Sequence, residues 1–281
     1  MSRLTVAVTG AQGYAGSLIA NALEARGHTV VELVRRPKID APRKQVMFDL
    51  SQQLDPSVLR DLGVNGLIHV AWDFKQVTSD TIRRVNRNGS IRLFDSFLAA
   101  GGGTGIFIST IAAFDGAKSL YGQIKRETEQ EALQRGFWVV RPGLIQGDEP
   151  GGIVGVMLKL VKKLPIVPVL GYGKRVLNPI EASVLSKWVS QLVEAPPPSV
   201  EAAIVVAARP ERQSLDEIVR SLIQKNQLGR RLLIPLPWQP VWLALRTAEA
   251  LGLKLNLRSD SIISLMNQNP NPTFSDPPVF S

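Results

Sequence analysis

Thr9-Gly10-Ala11-Gln12-Gly13-Tyr14-Ala15-Gly16 is the stretch that decides how the rest of the chain is read. Leu4 to Val8, just before it, is a short apolar run rich in β-branched residues and reads as a buried strand. Gly13 to Arg26 follows helical spacing, with Leu18, Ile19, Ala22 and Leu23 apolar, and Gly27 takes the usual C-terminal glycine position. His28 to Val34 is a second strand, which completes a strand-helix-strand unit of about 30 residues, the length of a parallel crossover. At that junction the glycines have separate tasks. Gly10 permits the sharp turn, Gly13 lets backbone amides approach a pyrophosphate, and Gly16 lets the helix pack close to the sheet. Gln12 and Tyr14 lie inside the same loop, and the helix N-terminus adds partial positive charge. The spacing is G-x-x-G-x-x-G rather than the tighter G-x-G-x-x-G; its place between first strand and first helix predicts dinucleotide binding.

The alternation continues outward. Short strands are expected at Gln45–Phe48, Gly66–Ala71, Gly105–Ser109 and Phe137–Arg141, with helices at Pro56–Asp61, Asp80–Ala99 and Tyr121–Arg135. Nearly all-apolar strands between helices predict an α/β fold: a Rossmann-type, doubly wound parallel sheet covered on both faces. Beyond Pro142 the rhythm weakens. Helices are expected at Ile153–Lys163, Ser183–Val193, Ser214–Lys225 (N-capped by Ser214) and Trp238–Leu253, with a strand at Ala203–Ala207. Residues 1–150 are thus expected to form the dinucleotide-binding domain, and residues 151–281 a smaller α/β substrate lobe interleaved with it. Asn267 to Ser281, rich in Asn, Pro and Ser, is expected to be irregular. Gly101-Gly102-Gly103-Thr104-Gly105 lies between a helix and the following strand, so it reads as a helix stop and flexible connection, not a phosphate loop.

The tip of the second strand normally selects the dinucleotide. An acidic residue there binds the ribose hydroxyls, whereas arginine pairs with a 2′-phosphate. Here the tip is Val34-Arg35-Arg36-Pro37, and Glu32 lies further back, so Arg35 and Arg36 predict NADP, with NAD the alternative.

Composition bounds the chemistry. The chain has 281 residues and no cysteine, so disulfides and thiol chemistry are excluded. Its two histidines, His28 and His69, make a polyhistidine metal site untenable, and no metal is expected. The net charge of +9 is scattered, without an arginine-rich run interleaved with aromatics, and nucleic acid is not expected as a partner. Lys159, Lys162 and Lys163 share one side of their helix and read as a solvated face. No run of about 20 apolar residues predicts a membrane span, and Met1-Ser2-Arg3-Leu4 leads straight into a strand, so a cytoplasmic setting is expected. The partner is expected to be a small-molecule substrate; a homodimer is compatible with the sequence but not fixed by it.

Tyr121 and Lys125 are four apart in a helix and so share a face. Ser109 and Thr110 end the preceding strand, at the sheet edge where ligands bind in such folds. Hydride transfer to or from nicotinamide also moves a proton on oxygen. A phenol with an ordinary pKa of about 10 is a poor base at neutral pH. A nearby ammonium is expected to stabilise its phenolate, while a hydroxyl orients the substrate.

Thr9 to Gly16, Asp49-Leu50, His69-Val70-Ala71-Trp72, Asn86, Ser109-Thr110, Tyr121 with Lys125, and Arg141-Pro142-Gly143 occur in an order that resembles the extended branch of the short-chain dehydrogenase/reductase superfamily, the NAD-dependent epimerase/dehydratase type. The resemblance covers roughly residues 3 to 150. It implies that Asp49 hydrogen-bonds adenine with Leu50 beside it, and that Val70, Ala71 and Trp72 line the adenosine-ribose and pyrophosphate side. It further implies that Lys125 holds the nicotinamide ribose, that Tyr121 is the acid/base, that Thr110 orients the substrate with Ser109 on the cofactor side, and that Pro142 and Gly143 flank the nicotinamide. Asn178 to Ser183 lacks an element common in the family's C-terminal lobe, and Ser119-Leu120 lacks the acid a dehydratase would carry before its tyrosine. Two functions follow as expectations. One is an NAD(P)-dependent oxidoreductase or epimerase acting on a carbonyl or carbinol compound, a nucleotide sugar among the options. The other is a non-catalytic NADP-binding sensor or assembly protein of the same fold.

Overall fold

The structure is a computed structural model that describes residues 3–76, 78–173, 175–197, 199–253 and 257–276. Its first half alternates β1 (Thr5–Thr9), α1 (Tyr14–Ala25), β2 (Thr29–Val34), β3 (Lys44–Met47), α2 (Pro56–Asp61), β4 (Gly66–His69), α3 (Ser79–Ile82), α4 (Asn88–Ala99), β5 (Thr104–Ile108), α5 (Leu120–Gln134) and β6 (Trp138–Pro142). The second half holds β7 (Leu144–Gln146), α6 (Gly152–Lys163), β8 (Ile166–Leu170), β9 (Val176–Leu177), β10 (Pro179–Glu181), α7 (Ala182–Leu192), β11 (Ile204–Ala207), β12 (Gln213–Ser214), α8 (Leu215–Lys225), β13 (Leu232–Leu236), α9 (Trp238–Ala250) and α10 (Ser259–Met266).

The main sheet has seven strands in the order β11-β6-β5-β4-β1-β2-β3, all parallel. The chain reverses direction across the sheet between β1 and β4, and ligands bind at such a switch point, outside the carboxyl ends of the strands. One apolar layer packs α1 and α7 on the sheet through Ile19, Leu23, Leu185 and Val189; the other packs α4 through Leu93, Phe94 and Phe97. The seventh strand, β11, comes from beyond residue 200 and pairs with β6 in register from Ile204↔Val139 to Ala207↔Pro142. A third core, with Val161, Val167, Ile218, Leu222 and Ile262 at its centre, belongs to the C-terminal lobe, where β13 runs parallel to β8. Ser214 caps α8 in a capping box with Glu217.

Besides β7 to β10, β12 and β13, which form where no strand is expected from the sequence, three local readings change. The single helix expected over Asp80–Ala99 is interrupted by a π-helical turn at Arg83–Arg87. That turn directs the buried Asn86 at the backbone of Asp73, whose N–H donates to Asn86 Oδ1 at 2.6 Å while Nδ2 donates back to its carbonyl at 3.2 Å. The glycine run 101–105 is not a flexible connection. Gly101 (φ +83°) turns the chain after α4, but a Cβ on Gly102 would lie 2.4 Å from the Phe97 ring, and one on Gly105 2.4 Å from the Phe137 ring. Gly102 and Gly105 are seats for aromatic rings. The third change is α10, which the sequence reading left unassigned. Of the tail expected to be irregular, residues 277–281 lie outside the described residues; before them Ser275 pairs with Val206 and Phe274 packs against Ile111 and Ala208.

Gly105→Ala should cost about 1–3 kcal/mol, because the Phe137 ring is buried and already packed against Phe94 and Phe97. Urea unfolding should show this loss, and a cost below a few tenths of a kcal/mol would contradict the packing role.

Candidate functional site

The Thr9–Gly16 loop lies at the carboxyl end of β1, and its backbone leaves no room for a side chain at Gly10 or Gly16. A Cβ on Gly16 would lie 2.2 Å from the Gly10 carbonyl oxygen, and one on Gly10 (φ +67°) 3.0 Å from the Ala71 nitrogen. Gly13 is the N-cap of α1 and offers no side-chain acceptor, so the first amides of the helix keep their donors for an anion. Gln12 is exposed beside them. Tyr14 turns away: a Cβ on Gly151 would meet its ring and one on Gly147 its hydroxyl, so its side chain lies against the second lobe. Burial, with Glu181 and Asp148 nearby, pushes its phenol above the ordinary value.

The floor of the loop is held by a buried polar chain. Thr9 Oγ1 accepts from the amides of Val70 and Ala71, both at 3.0 Å, and lies 2.7 Å from His69 Nδ1. His69 Nε2 lies 2.8 Å from Ser90 Oγ, whose proton is committed to the Asn86 carbonyl at 2.7 Å. Only one proton arrangement satisfies every member. Ser90 must accept from His69 Nε2–H, and Thr9 must donate to Nδ1. His69 is therefore neutral. Burial drives its pKa down to about 3, helped by the Lys125 charge. This chain ties the end of β1 to the segment after β4, and so fixes the spacing between the glycine loop and residues 70–76.

At the tip of β2, Arg35 and Arg36 are exposed, and the Arg35 charge helps hold Asp49 below the usual carboxylate range, after the stronger effect of Ser51. Asp49 Oδ1 accepts from Ser51 N at 2.8 Å and Ser51 Oγ at 2.5 Å. Glu32 is turned inward, bound by Arg43 at 3.0 Å and Gln45 at 2.7 Å, and so does not face the tip. Leu50 is buried, with its carbonyl accepting from Arg92 at 2.7 Å.

On the other side, Thr110, Tyr121 and Lys125 meet beyond β5. The Thr110 hydroxyl lies near the Tyr121 phenol, close enough to pull its pKa downward. Lys125 is buried, and its Nζ donates to the Ile108 carbonyl at 2.7 Å, 4.5 Å from the Phe107 ring centre and 4.8 Å from that of Trp72. Burial lowers the ammonium to about 7, against the attraction of Glu129. Tyr121 departs from expectation. Its pKa is not lowered but pushed up to about 12 by burial, with the Thr110 hydroxyl pulling the other way. Its ring is enclosed by Trp72, edge-on at 5.1 Å, and by Phe74, stacked at 6.1 Å. Trp72 thus reaches the Tyr121 side, while Ala71 stays against Gly10. Ser109 Oγ is buried without a hydrogen-bond partner. Pro142 is buried between β5 and β11, and Gly143 lies so close to Asn178 that a Cβ would sit 2.2 Å from its carbonyl oxygen.

Sequence reasoning missed the supports on the second lobe. Asp260, at the start of α10, accepts from the amides of Leu120 at 2.8 Å and Tyr121 at 2.9 Å, and so caps the helix that carries Tyr121. Arg258 donates to the Phe74 carbonyl at 2.6 Å and pairs with Glu249 at 2.7 Å, which fixes the segment lying on Tyr121. Arg258-Ser259-Asp260 ahead of an apolar run could have signalled a helix start, but nothing local points across some 140 residues to Tyr121. Beside this junction Lys118, Trp238, Pro240, Trp242, Leu243 and Ile263 line an open apolar trough of about 660 Å³.

A doubly wound parallel sheet with a glycine-cradled helix N-terminus at its switch point defines a dinucleotide-binding protein of the Rossmann type, and the glycine cradle, the uncapped amides and the unpartnered Ser109 hydroxyl fit such a ligand. Residues 6–135 match the model of the NAD dependent epimerase/dehydratase family, which this part of the chain is similar to. Its fold is shared with ADP-L-glycero-D-manno-heptose-6-epimerase of Helicobacter pylori (TM-score 0.69, 16% identity, 94% of this chain and 95% of that one). MoeE5 in complex with UDP-glucose and NAD is similar to the same degree (TM-score 0.66, 17% identity, 93% and 97%). A protein named ceramide reductase, from Caulobacter vibrioides (strain NA1000 / CB15N), is 32% identical over 184 residues, which are 62% of this chain and 56% of that protein. The chain thus matches little more than half the length of that curated relative. Among the described residues, no helix is long and apolar enough to cross a membrane, and no group of three or more His, Cys, Asp or Glu could hold a metal ion.

His69 generates a pH prediction. The unfolded histidine takes up a proton as pH falls through about 6.5, but the folded one does not until about 3. Stability should therefore be constant above pH 6.5 with respect to this group and fall between 6.5 and 3. His69→Gln, which can still donate to Ser90 and accept from Thr9, should show a shallower loss of melting temperature from pH 7 to pH 4. Identical slopes in the two proteins would refute the neutral, buried assignment.

Proposed function

We propose that this protein is an NADP-dependent reductase of a carbonyl compound with an apolar body. The observation that carries this reading is the meeting of Thr110, Tyr121 and Lys125 at the sheet edge beside the glycine loop, with the Tyr121 phenol kept protonated. The bound nicotinamide would supply hydride to the carbonyl carbon. The residues of this chain manage the oxygen. Tyr121 is positioned to give its O–H proton to that oxygen as the carbon is reduced, and Thr110 to hydrogen-bond the same atom. The phenol is protonated at neutral pH, the form that carbonyl reduction requires, and burial makes it a weaker acid until its phenolate is stabilised. Lys125 has three N–H donors and spends one on Ile108, so the others remain for a ribose hydroxyl and for stabilising the phenolate left after proton transfer.

NADP is favoured over NAD because Arg35 and Arg36 are exposed at the strand tip while Glu32 is engaged elsewhere. Gly10, Gln12, Gly13, Gly16 and the Tyr14 backbone would hold the pyrophosphate, Asp49 and Leu50 the adenine, Ala71 the adenosine side, and Trp72, Ser109 and Pro142 the nicotinamide half. A nucleotide sugar fits less well than an apolar substrate. A diphosphate asks for several cations, and among the described residues lining the trough Lys118 is the one that is charged. The resemblance to a protein named ceramide reductase points the same way.

The enclosure of Tyr121 by Trp72 and Phe74 favours a second reading, a protein that binds NADP without turnover. Tyr121→Phe decides between them. The reductase reading expects NADPH oxidation with a long-chain ketone to fall at least a hundredfold in this variant, while NADPH binding by fluorescence is unchanged. A wild-type protein that binds NADPH but oxidises it with no carbonyl compound would establish the second reading. The cofactor assignment has its own check: replacing Arg35 and Arg36 by alanine should weaken NADPH by roughly tenfold or more and leave NADH nearly unaffected. Equal losses would refute the 2′-phosphate role.

A further inference from the structure

The C-terminal lobe carries an unusual stretch of surface that the reductase site does not use. Residues 150–180 and 218–248 contain ten lysines and arginines and no aspartate or glutamate. Part of this charge is gathered at one place. Lys159, Lys162 and Lys163 are exposed on the last turns of α6. Arg231 Nε donates to the Val161 carbonyl at 3.0 Å, which puts Arg230 and Arg231 against the end of the same helix. Among the described residues none of these five is in an ion pair.

Exposed aliphatic side chains stand among them. Leu232 opens β13 and is in register with Ile166, which opens β8; they are 60% and 51% exposed. Leu160, Leu164 and Ile234 are exposed beside them. Two lysines in the last turn of a helix are adequately explained by the helix dipole. That explanation does not cover aliphatic residues left in water at the paired ends of two strands, nor two acid-free segments packed in one lobe.

We propose that this face, formed by the end of α6 with the starts of β8 and β13, docks the protein on an anionic lipid surface. The charges and the aliphatic groups fit that partner together. Lysine and arginine attract the headgroup layer, each within about a Debye length of it, and leucine and isoleucine enter the acyl boundary. A nucleic acid would take the cations but offers little to Leu160, Leu164, Ile166, Leu232 and Ile234, and the cluster holds no aromatic ring for a base to stack on. A second copy of the chain would set like charges face to face. The surface also leads toward the candidate site. β13 runs from Leu232 to Leu236, and Trp238, which lines the apolar trough, begins the next helix. The docking proposal does not depend on catalysis and stands or falls by itself.

The experiment is co-sedimentation of the full chain with extruded vesicles, phosphatidylcholine alone or mixed with phosphatidylglycerol, across a salt series. The expected result is binding to the mixed vesicles, little to phosphatidylcholine alone, and weakening as salt rises. Replacing Lys159, Lys162 and Lys163 together by glutamine should cut affinity on the order of a hundredfold, about fivefold for each removed charge. Ile166→Ser with Leu232→Ser should weaken binding even at low salt. Both variants alter exposed side chains, and unchanged NADPH binding and melting temperature would certify their folding. Absence of binding to mixed vesicles overturns the proposal, as does binding that both variants retain. Preferential binding to duplex DNA or RNA, or a dimer that the same substitutions dissolve without any vesicle binding, also overturns it.

Discussion

The rest of the structure depends on the close approach of Gly16 to the Gly10 carbonyl oxygen, where an added Cβ would come within 2.2 Å. It fixes where α1 starts relative to β1. Because Gly10 in turn touches the Ala71 backbone, it also fixes how closely the segment after β4 approaches the loop. Thr9, His69 and Ser90 hold that approach from beneath with a hydrogen-bond chain that has one consistent arrangement of protons. The position of the loop is therefore set by backbone against backbone.

The half that holds Tyr121 and Lys125 is built differently. Tyr121 and Lys125 are delivered by α5, whose N-terminus is capped from the far lobe by Asp260. The segment lying on Tyr121 is held on one side by Asn86 in a π-helical turn and on the other by Arg258. Each support comes from a different part of the chain, so a shift of α10 would be felt at the tyrosine. Enclosure has an electrostatic consequence. Burial raises the phenol and lowers the ammonium, so the pair is less polarised than a solvated tyrosine and lysine at the same spacing would be.

The two lobes divide the physics. The seven-stranded sheet, buried on both faces, anchors the Thr9–Gly16 loop. The smaller lobe leaves aliphatic side chains, cations and an apolar trough at its surface, where a partner can be met.

The sequence by itself determined what local chemistry can encode. The strand-helix alternation, the glycines at 10, 13 and 16, the arginines at 35 and 36, and the four-residue spacing of Tyr121 and Lys125 are all legible because each depends on neighbours within a few residues. The glycines at 102 and 105 were legible as a turn but not as seats for Phe97 and Phe137, since those rings arrive from other elements. Tertiary structure alone decided that Glu32 turns inward to Arg43, that β11 completes the main sheet, that Trp72 and Phe74 enclose Tyr121, and that Asp260 caps its helix. It also reversed the expected direction of the Tyr121 pKa. Desolvation is a property of everything packed around a group, and the five-residue pattern that revealed Tyr121 and Lys125 carries no record of it.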